Sequence, residues 1–367
     1  MKIKLTAILL LILLTVVICR QVSAAAYQVK LLNQAPAVAT GLGILGNVTV
    51  GSVGLTGENA ALWPTPGTSY VNLHPDGYSS SRAIDIFGNV QVGSGNPLGY
   101  PAHAMLWKGT ADSAVELHPS GYNTSVAYAV SGTMQTGAGK PKPVGPYHAL
   151  LWHGSAESFV DLHVPGYNAT YSVAAAGDGQ VGWGALHEHS TFRHALLWHG
   201  TAESVVNLHP AGFSASMGLG GGDEVQVGYG ISEGEEPATH ALLWRGTAAS
   251  VVDLNPAGFE YSQASAAAGE WQVGLGSLTD PGEERALAWR GTAESGIDLH
   301  EILEMQTGLD FVFTRATDVD EFGNVVGWGD TADFVRHAIR WSVVPEPSSI
   351  AIALIAAAML YRGGLST

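Results

Sequence analysis

The stretch HALLWHGTAESVVNLHP, residues 194–210, decides the fold because it is one copy of a unit that returns along the chain. Its tryptophan, Trp198, has a counterpart at every interval of 44 to 52 residues. The counterparts are Trp63, Trp107, Trp152, Trp244, Trp289 and Trp341. A repeat of this length is typical of solenoids and propellers, in which one unit cannot bury its apolar faces without a neighbour.

Two further motifs recur at the same interval as the tryptophan, and together the three motifs define seven units. A Gln-Val-Gly motif precedes each Trp, and a Val-Asp-Leu-His motif follows each Trp except the last. In the second unit four short apolar or alternating stretches, 81–86, 89–93, 103–107 and 114–117, are separated by turn residues. No stretch shows sustained helical periodicity. Seven units of four strands predict an all-β fold, a seven-bladed β-propeller of four-stranded blades.

The last unit indicates how the ring closes. It ends at Trp341 without a fourth strand, whereas Tyr27-Gln-Val-Lys-Leu-Leu-Asn33 at the other end is similar to Ser204-Val-Val-Asn-Leu-His209. We expect the N-terminal strand to complete the last blade, which removes an exposed sheet edge. The alternative is an open β-solenoid, which needs two capping units instead.

The repeated histidines are predicted to be structural. His194 lies four residues before its Trp, and the second histidine of the unit, His209, follows the strand after it. An active site needs its base once, so a residue repeated in most units is better explained by packing or turn hydrogen bonds. Some units carry Arg285, Asn59 or Asn255 at these positions, which suits a donor but not a base. The tryptophans are expected to pack between blades as apolar wedges.

The charge of the protein excludes one class of partner. The formal net charge is −16 and only 13% of the residues are charged. Such an acidic chain is repelled by nucleic acid phosphates, so nucleic-acid binding is not expected.

The N-terminus is typical of an export signal. Lys2 and Lys4 precede an apolar run, and small residues follow up to Ala26. We predict a signal peptide over residues 1–24, a propeller over 25–343 and a tail over 344–367. Cys19, the only cysteine, falls within the signal, so the mature protein is expected to have no disulfide.

The C-terminal tail resembles the PEP-CTERM sorting signal of exported bacterial proteins. Pro345, Glu346 and Pro347 form the motif, and an apolar run that begins at Ile350 and ends at Tyr361 follows, with Arg362 after it. The resemblance implies processing by an exosortase-type membrane protease, with transient membrane anchoring through the apolar run. The run is short for a membrane span and the basic end is a single Arg, so a plain anchor is the alternative.

The repeat itself is similar to the HAF-type extracellular repeats of bacteria. Those repeats have a Gly-Gln-Val-Val-Gly segment before His-Ala-Phe-Leu-Trp and Asp-Leu-Gly. This chain has Leu or Met in place of the Phe and His-Pro in place of the last Gly, over most of residues 37–342. The resemblance implies an exported β-repeat protein and brings no catalytic residues.

Function is expected where the repeats differ, in the segments between the second and third strands of each unit. These segments share one face of a propeller, and loops on a rigid scaffold commonly bind ligands. Their aromatics are the candidate ligand-binding residues: Tyr100, Tyr147, Trp183, Tyr229 and Trp328. Their acids are Glu233, Glu235, Glu236, Asp280, Glu283 and Glu284. Aromatics ringed by acids suit sugar stacking or a cation, and solvated turns are the structural alternative.

Two metal hypotheses are weaker. His187-Glu188-His189 places alternate histidines on one loop but offers no third ligand. Asp318-Val-Asp320-Glu321-Phe-Gly323-Asn324 is similar to a calcium loop but lacks the downstream Glu. We therefore expect no metal and no other cofactor.

No motif for catalysis is present, and we predict a non-enzymatic surface or extracellular-matrix protein with a binding or structural role, whose partner is a polysaccharide or a surface protein. The alternative is a carbohydrate-active enzyme, a glycosidase or lyase, whose site lies on the variable-loop face, since no short motif would reveal one.

Overall fold

The computed structural model describes residues 27–32, 38–54, 58–65, 69–143, 145–187, 192–222, 224–279 and 282–344. The chain divides into two compact units. The larger, Val29–Trp341, contains the propeller. The smaller comprises Met1–Gln28 and Ser342–Thr367, of which only 27–28 and 342–344 are described. The predicted signal peptide, and the predicted tail apart from Val344, lie outside the described residues.

The described strands form seven antiparallel sheets of four strands, which are the blades. The first described strand is β1 (Tyr27–Leu31). Blade 1 is β2 (Ala39–Leu45), β3 (Val48–Val53), β4 (Asn59–Trp63) and β5 (Val71–Asn72). Blade 2 is β6 (Tyr78–Phe87), β7 (Val90–Pro97), β8 (His103–Trp107) and β9 (Val115–Glu116). Blade 3 is β10 (Tyr122–Ser131), β11 (Met134–Pro141), β12 (His148–Trp152) and β13 (Val160–Asp161). Blade 4 is β14 (Ala169–Ala176), β15 (Gly179–Ala185), β16 (Arg193–Trp198) and β17 (Val206–Asn207). Blade 5 is β18 (Phe213–Gly221), β19 (Gln226–Ser232), β20 (Thr239–Trp244) and β21 (Val252–Asp253). Blade 6 is β22 (Tyr261–Ala268), β23 (Trp271–Ser277), β24 (Arg285–Trp289) and β25 (Ile297–Asp298).

Blade 7 confirms the predicted closure. It consists of β26 (Phe311–Val319), β27 (Val325–Thr331) and β28 (Arg336–Val343), with β1 as its outer strand. The Leu32 amide donates a hydrogen bond to the Ala338 carbonyl at 2.9 Å, just beyond β1. The inner strands of successive blades contact one another, and β26 of blade 7 contacts β2 of blade 1. The seven-bladed propeller is therefore confirmed, and the solenoid alternative is wrong.

The repeated tryptophans lie between blades, as expected. All seven are at most 1% exposed. Trp152 of blade 3 packs in one apolar cluster with Leu106 and Leu117 of blade 2 and Leu150 of its own blade. Burial of these large rings at every seam supplies much of the apolar area that the propeller removes from water.

The glycine of each Gln-Val-Gly motif is required by a bulge in the facing inner strand. In blade 4, Gly182 pairs with Ser172, and the register shifts between Ser172 and Ala174. A Cβ on Gly182 would collide with the Tyr171 carbonyl oxygen. The corresponding glycine of every blade faces the same obstruction: Gly51, Gly93, Gly137, Gly228, Gly274 and Gly327. The bulge adds one residue to each inner strand, here Val173, which lines the centre of the ring.

The second histidine of each unit ties two blades together. His163, which follows blade 3, has its Nδ1 3.1 Å from Thr170 Oγ1 of blade 4, and that hydroxyl accepts from the Ala149 amide at 3.0 Å. Asn255 replaces the histidine after blade 5 and accepts from Ser262 Oγ at 2.6 Å. These contacts support the structural role predicted for the repeated histidines.

One helix departs from the sequence prediction. α1 (Leu299–Thr307) follows blade 6 and accounts for the longest repeat interval. Asp298 caps its start by accepting from the Glu301 amide at 3.0 Å, and Gly308 ends it at a φ of 67°. Nine residues are too few for helical periodicity to stand out. Five short 3₁₀ turns also precede outer strands: Ala111–Ser113, Ala156–Ser158, Ala202–Ser204, Ala248–Ser250 and Ala293–Ser295.

Candidate functional site

The second strand of each blade ends, and the third strand begins, at the same end of the propeller, which we call the loop face. The described residues of the connections between these strands are 54, 58, 98–102, 142–143, 145–147, 186–187, 192, 233–238, 278–279, 282–284 and 332–335. Each inner strand begins at this face, because it runs antiparallel to the second strand. The hairpin turns between first and second strands lie at the opposite end, the hairpin face.

A narrow channel runs between the inner strands. A cavity of about 160 Å³ is lined by the extra residue of each bulge: Leu42, Ile84, Tyr128, Val173, Leu219, Ser265 and Thr317. A wider cavity of about 400 Å³ adjoins the hairpin face. Asp85 and Asp318 line both cavities and are the acids at the boundary between them.

These two aspartates hold neighbouring blades together. Asp85 of blade 2 accepts from the Val130 amide of blade 3 at 2.8 Å. Asp318 of blade 7 accepts from the Ile44 amide of blade 1, also at 2.8 Å. Burial raises the pKa of both carboxyls, and the charge of Asp85 raises the pKa of Asp318 further. Their oxygens are engaged by backbone N–H groups, which identifies them as structural acceptors.

A continuous stack of rings on the loop face is the strongest candidate site. Tyr147 lies against Tyr171, with ring centroids 5.1 Å apart, and Tyr171 lies against Trp183 at 4.2 Å. The guanidinium carbon of Arg193 is 4.6 Å from the centroid of the Trp183 ring. We call Tyr147, Tyr171, Trp183 and Arg193 the aromatic strip. All four side chains belong to partly exposed residues.

The strip is extended at both ends. Tyr128 of the channel lies close enough to Tyr147 and Tyr171 to share electrostatic interactions with them. At the other end Arg193 bonds the Tyr229 hydroxyl, and both groups lie against Met217 Sδ of blade 5, at 3.1 and 2.7 Å. Burial raises the pKa of Tyr128, Tyr171 and Tyr229, so their hydroxyls stay protonated at neutral pH and can donate and accept hydrogen bonds.

Trp328 occupies the position in blade 7 that Trp183 occupies in blade 4, but its ring is covered. The Arg336 guanidinium lies 3.9 Å and the Arg315 guanidinium 5.3 Å from the ring centroid. Asp330 accepts from Arg336 at 2.7 and 2.8 Å, and Glu284 accepts from Arg315. The ring and its cations are therefore satisfied within the protein.

The five aromatics singled out by sequence lie in different surroundings. Tyr147 and Trp183 come together in the strip, and Tyr229 adjoins it. Trp183, Tyr229 and Trp328 lie on second strands rather than in loops. Tyr100 is 67% exposed, and its ring is 6.5 Å from that of His103. Tyr100 and Trp328 are not part of the strip.

The predicted ring of acids does not converge in the described part of the chain. Glu284 is paired with Arg315, whereas Glu233, Glu235, Glu236 and Glu283 are exposed. Asp280 lies outside the described residues.

Sequence reasoning missed Tyr171, Arg193 and Tyr128. Tyr171 directly follows the Ser or Thr that the structural histidine holds, a position filled elsewhere by Arg82, Val126, Met217, Gln263 and Arg315. Arg193 directly precedes the first histidine position, where other units have Glu58, Ala102, Tyr147, Thr239, Glu284 and Arg336. Both positions vary while their neighbours repeat. Variation inside strands was the signal that could have identified them.

The metal hypotheses gain no support from the described residues. Glu188 and His189 lie outside them, so the His187 segment is not described as a whole. The Asp320 carboxylate accepts from the Phe322 and Asn324 amides at 3.0 and 2.9 Å, which stabilises an ordinary turn. Among the described residues, no group of three His, Cys, Asp or Glu side chains is arranged to hold a metal.

Solved structures that share the fold have low sequence identity to this chain. The β-propeller domain of the Trilobed protease from Pyrococcus furiosus aligns over 83% of this chain and 93% of its own, with a TM-score of 0.55 and 11% identity. A puromycin-hydrolysing peptidase of Mycobacterium tuberculosis aligns over 87% of this chain and 53% of its own, at a TM-score of 0.57 and 14% identity. An oligogalacturonate lyase from Vibrio parahaemolyticus aligns over 87% of this chain and 94% of its own, with a TM-score of 0.52 and 11% identity.

At such identities the likeness shows the propeller fold alone. The Pyrococcus domain has an open velcro topology, whereas here β1 pairs with β28 in the last blade. No protein family profile and no curated protein matches the sequence. Within the part of the chain that the structure describes, no helix has the length and apolar character needed to cross a membrane.

Proposed function

We propose that the protein is an exported surface or extracellular-matrix protein that binds a polysaccharide on the aromatic strip without cleaving it. The observation that carries the proposal is the unbroken stack from Tyr147 through Tyr171 to Trp183. The C–H faces of sugar rings pack against aromatic rings, and neighbouring hydroxyl and guanidinium groups can bond the sugar hydroxyls. A stack that spans two blades offers room for more than one sugar.

Rigidity supports a binding role for the strip. Tyr171, Trp183 and Arg193 lie on the first, second and third strands of blade 4, with Tyr171 directly opposite Trp183. A site on strands is already ordered before the ligand arrives, so little conformational entropy is lost on binding.

The channel offers little support for the enzymatic alternative. Asp85 and Asp318 would be the candidate acid and base, but their oxygens accept backbone N–H groups of the next blade. The cavity on the loop side of them, about 160 Å³, has room for a few water molecules rather than a polymer. Cleavage by a glycosidase needs a free carboxyl pair on either side of the scissile bond.

Export remains part of the proposal. It is supported by the signal-like N-terminus and by Pro345-Glu346-Pro347 with the apolar run after it. We propose that an exosortase-type protease processes this tail while it holds the protein at the membrane. Replacement of Glu346 by Ala should leave the unprocessed chain in the membrane fraction, and release of the variant at the wild-type rate would contradict this.

The function is tested by incubating the purified protein with a panel of bacterial exopolysaccharides. Retention of the protein on at least one polymer, with no released oligosaccharides, is the expected result, and Trp183→Ala should abolish it. Released oligosaccharides would favour the enzyme. Absence of retention on any polymer would point to a surface protein as the partner and overturn glycan binding.

A further inference from the structure

The cation of the strip, Arg193, has no carboxylate partner among the described residues. The other arginines of the loop face are paired: Arg82 with Glu58, Arg315 with Glu284, and Arg336 with Asp330. Arg193 is bonded instead to a thioether sulfur and a tyrosine hydroxyl, and its Nε is buried without a partner. Neither of those groups compensates a full positive charge.

The lack of a partner has a local cause in the sequence. In blade 7, Arg336 pairs across the strands with Asp330, which supplies its carboxylate. In blade 4 the same cross-strand position opposite Arg193 is Ala185. The two sites share a tryptophan and a stacked arginine, but among the described residues the arginine of blade 4 has no carboxylate beside it.

We infer that the ligand of the strip is an acidic polysaccharide, in which Arg193 binds a sugar carboxylate beside the stacked rings. This inference rests on the proposed function. A guanidinium is suited to bind a carboxylate through charge-assisted N–H···O bonds. Arg193 is partly exposed.

Because the protein carries a net negative charge, binding of an acidic polymer would require a local cation such as Arg193. With a net charge of −16 the protein repels an acidic polymer at long range. Binding must therefore come from short-range contacts at the strip. Salt screens the repulsion and the attraction alike, so the identity of the ligand is best tested by chemical change of the polymer at fixed salt.

The test compares two forms of one polymer, alginate and alginate whose carboxyl groups have been reduced to alcohols. We expect the protein to bind alginate at least tenfold more tightly, and Arg193→Gln to lose that preference, which corresponds to about 1.4 kcal/mol. Ala185→Asp should lose it too, because the new carboxylate would pair with Arg193. Arg245→Gln is the matched control, since Arg245 is exposed at the end of β20 away from the loop face.

The outcomes separate the two proposals. Equal affinity for both polymers, or a preference that survives Arg193→Gln, would overturn the acidic ligand. If Trp183→Ala still abolished binding in that case, the strip would remain a neutral-glycan site and the proposed function would stand. If the wild type bound neither polymer, the acidic ligand would be overturned, and the panel of exopolysaccharides would decide the proposed function separately. Thermal unfolding of each variant checks that it is folded.

Discussion

Blades 4 and 7 place the same two residues at the same positions and use them differently. Trp183 and Trp328 lie on second strands, each with an arginine from the third strand over its ring. In blade 7 the inner strand adds Arg315 and the second strand adds Asp330, so two arginines lie beside the tryptophan and both are paired with carboxylates. In blade 4 the corresponding residues are Tyr171 and Ala185. The difference teaches that a repeated position acquires a function through its cross-strand neighbours.

Blades 4 and 7 have the same backbone bulge beneath the tryptophan, opposite a glycine of the second strand. Replacing that glycine is expected to have the largest effect on stability. Gly182→Ala and Gly327→Ala should each lower the free energy of unfolding by about 3 kcal/mol, because the new Cβ meets the carbonyl of Tyr171 or of Arg315. Denaturant unfolding measures both. A loss at one glycine only would show that the two bulges differ.

The next effect separates the two tryptophans. Trp183→Ala should weaken polysaccharide binding by about 2 kcal/mol, or roughly thirtyfold, as expected for an aromatic anchor. Trp328→Ala should change affinity less than about twofold, because Trp328 is not part of the aromatic strip and its neighbours are two paired arginines. Isothermal titration calorimetry with the same polymer measures the affinity of both variants. Equal losses of affinity would show that the two tryptophans do not differ in binding.

A fall in pH should weaken the histidine contacts that lie next to both sites. His163 holds Thr170 beside Tyr171, and His300 holds Thr314 beside Arg315. Burial lowers the pKa of both imidazoles from about 6.5. As the pH falls below 6.5, the unfolded chain therefore binds protons that the folded protein excludes, and stability is lost.

Replacement of either histidine by Asn, which blade 5 already carries at Asn255, should recover part of that loss at pH 5. The free energy of unfolding at pH 7.5 and pH 5 measures it for each variant. An unchanged difference between the two pH values in His163→Asn would show that this imidazole titrates normally in the folded protein.

The smallest effect concerns the ion pair that distinguishes blade 7. Asp330→Ala should lower the free energy of unfolding by about 0.5–1 kcal/mol, since the pair is partly exposed. The cost should shrink in 0.5 M salt. If Asp330→Ala lowers the free energy of unfolding by the same amount with and without salt, Asp330 acts through packing rather than through its charge.

The repeats predicted the architecture well because each motif has a local physical reason. The Trp spacing gave the number of blades, the missing strand after Trp341 gave the closure, and the tolerance for Asn255 indicated structural histidines. Helix α1 was missed because Asp298 and Gly308 define a helix too short for its periodicity to be recognised. The site was only partly predicted, because attention to loops overlooked Tyr171 and Arg193 on strands.

The sequence by itself determined the seven-fold repeat, the buried Trp at each seam and the need for glycine in the second strands, because these depend on residues that recur in register. Tertiary structure alone decided which aromatics meet. Tyr147 belongs to blade 3 and contacts Tyr171 of blade 4, so their stacking depends on the placement of one blade against the next. Whether an arginine is paired or available likewise depends on a residue across the sheet, Asp330 or Ala185, which lies several positions away in the chain.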